Sequence, residues 1–240
     1  MPLPKINTPT YELAIPSTGK KVKYRPFLVR EEKILVMALE SEDMTQITNA
    51  VVDIISNCIQ TKGIKVSDFS TFDIEYIFLN IRSKSVGETI EVNITCPDDG
   101  ETQVKVEINV DDIQIQKDPK HTNIIDLDGD LKMRLKYPAL EQFIESNFEY
   151  NDENINVDKS LDMIISCIDV IYNEEETWAA SDSSKKELKD FVEQMNTKQF
   201  KDIENFFVTM PKLSHSIKIT NPKTKVESDI VLEGLASFFS

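Results

Sequence analysis

Cys, His and clustered Asp or Glu are the side chains that hold metals, attack carbonyls and carry protons, so their spacing comes first. The run ITCPDDG at 94–100 sets Cys96 directly before a proline, the corner of a metal knuckle if a second thiolate follows. A structural zinc needs four N or S ligands, typically in C-x2–4-C pairs. No second Cys and no His stands within four residues of Cys96, so it reads as a hairpin corner. DLDGD at 126–130 has the look of a calcium loop. Such a loop needs Gly at position six and a bidentate Glu at position twelve. Here Gly129 is fourth and Tyr137 twelfth, which predicts a turn.

His121 and His215 are the only histidines, and neither belongs to a nucleophile motif such as G-x-S-x-G. The six glycines form no G-x-G-x-x-G and no Walker loop. Cys58 and Cys167 fall on apolar helix faces, where a reduced thiol packs as a small hydrophobe. The sequence therefore predicts no catalytic residue, no metal, no cofactor and no small-molecule substrate. The alternative is an unrelated cytosolic enzyme using carboxylates that nothing singles out among the 42 acids.

A net charge of −15 argues against nucleic acid and against an anionic membrane surface, since both require basic residues to replace counterions. No apolar run approaches the roughly 20 residues of a membrane span, and the N-terminus has no signal-type apolar core. Three cysteines make no secreted framework, so a cytosolic setting is expected. The stretch 141–176 holds eleven acids against the single Lys159, a solvated face or a docking surface for a basic partner.

These residues must be held by elements, and the elements occur twice. VVDIISNCI at 51–59 matches SLDMIISCI at 160–168, setting Cys58 over Cys167. Upstream, KVKYRPFLVREEKILVMALES matches LKMRLKYPALEQFIES, and downstream DIEYIF matches DIENFF. Further on, ITCP at 94–97 lies over ITNP at 219–222, so Asn221 takes the place of Cys96. The expected fold is α+β, an internal duplication of a hairpin–helix–helix–helix–hairpin unit in two pseudo-symmetric copies. Its parts are an extended arm at 1–10, repeat one at 11–113, a linker at 114–122 and repeat two at 123–240. A polar insertion at about 173–186 interrupts the second copy. In the helices, the apolar spacing predicts buried faces at Ile34, Met37, Ala38 and Ser41 and at Val51, Ile54, Ile55 and Cys58.

With chemistry absent, contact surface remains. Lys21, Lys23 and Arg25 alternate with Val22 and Tyr24, and Lys132, Arg134 and Lys136 alternate with Met133 and Leu135. Period-two alternation predicts strands with one buried and one basic, wet face, a repeated candidate surface for partners. Trp178 is the only tryptophan and lies in the insertion, a candidate anchor. Phe238 and Phe239 either close the core or offer an apolar hook.

The opening PLPKINTPTYELAIPSTGKKVKYRPFLVREEKILVMALES, followed by IRSKSVGE at 81–88, resembles the baseplate hub proteins of T4-type contractile-tailed phages. The resemblance covers most of the chain and is strongest in the first hundred residues. It implies a non-enzymatic role in building the central hub, as hub subunit or assembly catalyst, through contacts with other hub proteins and with scope for self-association. The setting it implies is the host cytoplasm, with the virion tail as a further location. Some members carry a second Cys near the position of Cys96, a pair that could hold a metal. This chain lacks it, and metal binding is not carried over.

Overall fold

Residues 6–41, 43–139 and 157–238 are described by the computed structural model, which mixes helices with antiparallel sheets. The chain divides into two compact units, Met1–Gln116 with Lys212–Ser240, and Lys117–Pro211.

In the first unit, β1 (Tyr11–Ala14) and β2 (Lys21–Tyr24) form a hairpin with Leu13 opposite Val22, both buried. Helices α1 (Val29–Glu40), α2 (Met44–Cys58) and α3 (Thr71–Val86) follow. Phe72, Ile74, Ile77, Phe78, Leu79 and Ile81 of α3 are all buried. These positions cover well over half of the helix circumference, and a helix with so wide an apolar face is a core helix. The chain then makes the hairpin β3 (Thr89–Thr95) and β4 (Gln103–Asn109), and the short β5 (Gln114–Gln116).

The first unit is completed from far along the chain. Strand β10 (Lys212–Thr220) pairs with β11 (Glu227–Glu233) on one side and with β5 on the other, Lys212 opposite Gln116. Ile90, Val92, Ile94, Cys96 and Ile108 share one apolar cluster with Leu213, Ile219, Leu232 and Phe238. The tips of the two hairpins are tied by polar groups. The Asn221 amide, 1% exposed, donates to both Asp98 oxygens at 3.0 Å and to Asp99 Oδ2 at 2.9 Å. The Thr224 hydroxyl also donates to Asp98.

Both tips have the same backbone plan. Cys96 N–H donates to Thr102 C=O and Gly100 N–H to Cys96 C=O; Asn221 N–H donates to Val226 C=O and Lys225 N–H to Asn221 C=O. Gly100 has φ +68°, and Lys225, at the corresponding place, has φ +66°. A side chain in the left-handed region costs about 1–2 kcal/mol. Lys225→Gly is therefore expected to stabilise the first unit by about 0.5–1 kcal/mol, read as a higher urea midpoint.

The second unit holds a four-stranded antiparallel sheet in the order β6 (Ile124–Asp128), β7 (Leu131–Leu135), β8 (Ile168–Tyr172), β9 (Thr177–Ala179). Helices α4 (Val157–Cys167), α5 (Lys185–Glu193) and α6 (Thr197–Thr209) belong to the same unit. Ile125, Met133, Leu135, Ile164, Ile168, Leu188, Val192, Ile203 and Phe206 form its core. Unlike α3, α6 is fully buried only at Ile203 and Phe206.

The compact units cut the chain differently from the expected repeats. The hairpin expected to end repeat two lies in the first unit because β10 finds its second edge partner in β5. Gln114–Gln116, expected as linker, is that partner strand. The helix expected over ALEQFIES falls at 139–146, where all but Ala139 lies outside the described residues. The insertion at 173–186 supplies β9, and Ser184 caps α5 by accepting from Glu187 N–H.

Candidate partner-binding surfaces

The basic strand face of the first unit is shorter than its alternation predicts. Lys21 and Lys23 are exposed on β2, and Lys21 pairs with Glu12 at 3.2 Å. Gln60 N–H donates to Lys23 C=O and Lys23 N–H to Thr61 Oγ1 at 2.8 Å. The segment holding exposed Lys62 thus runs beside the strand.

Arg25, two residues on, is buried instead. The strand ends at Tyr24, and Arg25 turns inward to Glu31 Oε1 at 3.0 Å and to the carbonyls of Pro26 and Asn57 at 2.9 and 3.1 Å. Glu31 also accepts from Arg30 Nε and Leu28 N–H, both at 2.7 Å. Burial pushes the Glu31 carboxyl up, but the hydrogen bonds from Arg25, Arg30 and Leu28 prevail and hold it at about 2.

That ion pair turns α1 about its axis. A helix that buries Glu31 also buries the residues four and seven positions on, Leu35 and Ala38. Ile34 and Met37, expected inside, are therefore outside, 43% and 59% exposed. With Leu28, Val29 at 80% and Val36 at 47%, they give α1 an exposed apolar face. Exposed Val86 is close by, because Phe27 N–H donates to Ser85 Oγ at 2.9 Å. Sequence reasoning missed this face. The signal was present in VREEKILVMALE, which has more apolar positions than one buried stripe needs. On α2 the expected face holds: Val51, Ile54, Ile55 and Cys58 are buried.

In the second unit, Lys132, Arg134 and Lys136 lie along or just after β7, and Arg134 and Lys136 are exposed. Arg134 pairs with Asp169 at 2.8 Å and Lys132 with Asp126 at 3.6 Å. This ladder is largely neutralised by its own sheet. Trp178 is 43% exposed on the edge strand β9, opposite Ile171. Phe238 is 1% exposed within the first unit's core, so it closes that core and offers no hook. Phe239 lies outside the described residues.

The residues that could have done chemistry are held in structural roles. Thr209 donates its hydroxyl to Asn205 C=O, so it accepts from His121 Nδ1–H at 2.9 Å. The other ring nitrogen then accepts from the Tyr137 hydroxyl at 3.0 Å, and the ring stacks on Tyr137 and lies tilted against Phe206. Burial lowers this histidine's pKa, which suits a neutral ring held at both nitrogens. His215 Nδ1 lies 3.1 Å from Asp112 C=O. Among the described residues, no group of three or more His, Cys, Asp or Glu is placed to hold a metal ion, and no helix is long and apolar enough to cross a membrane.

All three cysteines are free and buried. Burial pushes the Cys58 and Cys167 thiols up to about 11 and raises Cys96 as well. A thiol in this state reacts slowly, because the thiolate is the nucleophile. Ellman's reagent at pH 8 is expected to find no fast-reacting thiol in the native protein and three in 6 M guanidinium.

Residues 8–240 match a family described as T4 bacteriophage base plate protein. The chain is 23% identical over 232 residues to the baseplate hub assembly protein gp26 of Enterobacteria phage T4, covering 95% of this chain and 97% of that protein. No solved structure matches the chain.

Proposed function

The chain belongs to the T4 bacteriophage base plate protein family, and from that premise we propose that it is a non-enzymatic assembly factor for the central hub of a phage tail baseplate. The observation that carries this reading is the family match across 8–240, joined by a relative of nearly equal length described as a hub assembly protein. It works in the host cytoplasm through protein–protein contacts, binding a hub precursor and then leaving. A net charge of −15 favours a soluble, transient partner over a subunit locked into a particle. The basic residues Lys23 and Lys62 are the surface assigned to the precursor, since Lys21, Arg134 and Lys132 are already paired within their own sheets.

Quantitative mass spectrometry of infected-cell lysate and of purified particles tests this. The chain should be abundant in lysate and absent from finished particles. A fixed small copy number in particles would make it a hub subunit instead. Normal tails in its absence would remove both roles.

An internal duplication belongs to the same reading. It is supported by bonds that recur at matched positions of the two expected repeats. Arg25 N–H donates to Cys58 C=O at 3.0 Å, and Lys136 N–H donates to Cys167 C=O at 2.8 Å. The two hairpin tips with Cys96 and Asn221 give a second such pair.

A further inference from the structure

Five of the twelve large apolar side chains exposed among the described residues are on or next to α1: Leu28, Val29, Ile34, Val36 and Met37. Val29, Lys33, Val36, Met37 and Glu40 share one side of that helix, by the 100° advance per residue. Scattered exposed apolar residues are ordinary; a group of this size on one helix face marks a contact surface.

We propose that this face pairs with the same face of a second copy of the chain, α1 against α1, antiparallel about a two-fold axis. The charge pattern selects this occupant. On the stripe, the base Lys33 comes in the first half of α1 and the acid Glu40 at its end, with Arg30 on one flank. Glu32 sits on the flank away from Arg30. Antiparallel pairing centred between Val36 and Met37 sets Lys33 of each copy opposite Glu40 of the other. It also sets Val36 of each copy opposite Met37 of the other. A parallel pair would stack Lys33 on Lys33 and Glu40 on Glu40. Antiparallel alignment further opposes the two helix dipoles favourably. Such self-complementarity is what a two-fold contact requires.

The size of the face sets the strength. Twelve residues make a helix about 18 Å long, and one such face buries well under the roughly 800 Å² per partner of a stable complex. The dimer is therefore weak and concentration-dependent. The −15 charge on each copy opposes it at low salt, and screening beyond about 8 Å at physiological ionic strength relieves that repulsion.

Sedimentation velocity and light scattering on the full chain, from micromolar to several hundred micromolar at 150 mM salt, provide the test. The mass should rise from 27.5 kDa toward twice that value. Val36→Glu with Met37→Glu should hold it at the monomer mass across the range, with an unchanged circular dichroism spectrum because both side chains are already exposed. Lys33→Glu and Glu40→Lys should each weaken the dimer at least tenfold, and the double variant should recover most of the loss. A wild-type chain that stays monomeric overturns the proposal. A dimer indifferent to Val36→Glu and Met37→Glu overturns it too, as does a charge swap without recovery. The particle measurement above is unaffected by any of these results.

Discussion

Glu31→Leu is expected to lower the unfolding free energy by about 3–5 kcal/mol. The cause is the stranded partner. Arg25 is 9% exposed and would keep its charge with no carboxylate beside it. The double change Arg25→Met with Glu31→Leu should recover most of the loss, because a buried pair replaced whole by apolar side chains is often near neutral. Urea unfolding followed by far-UV circular dichroism reads this; Trp178 fluorescence reports the second unit. Acid gives an independent arm. A carboxyl held at about 2 in the fold contributes stability that is full above its ordinary range near 4.5 and lost as pH falls toward 2. The wild-type chain should weaken over that window through this group, and Glu31→Leu should lack that part of the slope.

The second large effect is an excision that leaves a fold intact. The second unit enters after Gln116 and returns at Lys212, and these two residues are directly opposed in an antiparallel ladder. Below them, Ile115 faces Leu213 and Gln114 faces Ser214. Removing 117–211 and joining Gln116 to Lys212 through Asn-Gly should turn β5 and β10 into an ordinary two-residue hairpin. About two-fifths of the chain would be gone. The product is expected to be soluble, with a cooperative thermal transition and protected amides on β3, β4 and β10. A molten or insoluble product would mean that the first unit needs the second for its stability.

Much of this architecture was legible in local patterns. TIEVNIT and SIKIT alternate with period two and are strands; VVDIISNC has one apolar stripe and buries it. Cys96 was readable as a turn residue because a thiolate without partners has no metal to hold. Two things were not legible, each for a physical reason. Arg25 continues the alternation of Lys21 and Lys23, and only the end of β2 at Tyr24 turns it inward to Glu31. That pair then fixes which side of α1 is buried, so a buried charge overrides the apolar count at Ile34 and Met37. The placement of β10 and β11 was the other. Edge pairing of β5 with a strand nearly a hundred residues away leaves no periodic signal in either segment. The two candidate anchors among the described residues divided in the same way. Trp178 is exposed as a polar surrounding suggests, whereas Phe238 is core, because the 3-10 turn at Leu235–Phe238 folds it back beneath the sheet.

The pairing of Gln116 with Lys212 also imposes an order in time. A ribosome adding roughly 5–20 residues per second delivers β10 about 5–20 s after β5. Throughout that interval the inner face of β3 and β4, carrying Ile90, Val92, Ile94 and Ile108, lacks Leu213, Ile219, Leu232 and Phe238 of its core. The intervening segment can meanwhile close its own sheet, whose strands pair with near neighbours along the chain. Long-range pairing is slow and leaves apolar edges open while it waits. During synthesis the first unit to begin is therefore the last to finish, and its half-built sheet is the stage at which this chain is most exposed to aggregation.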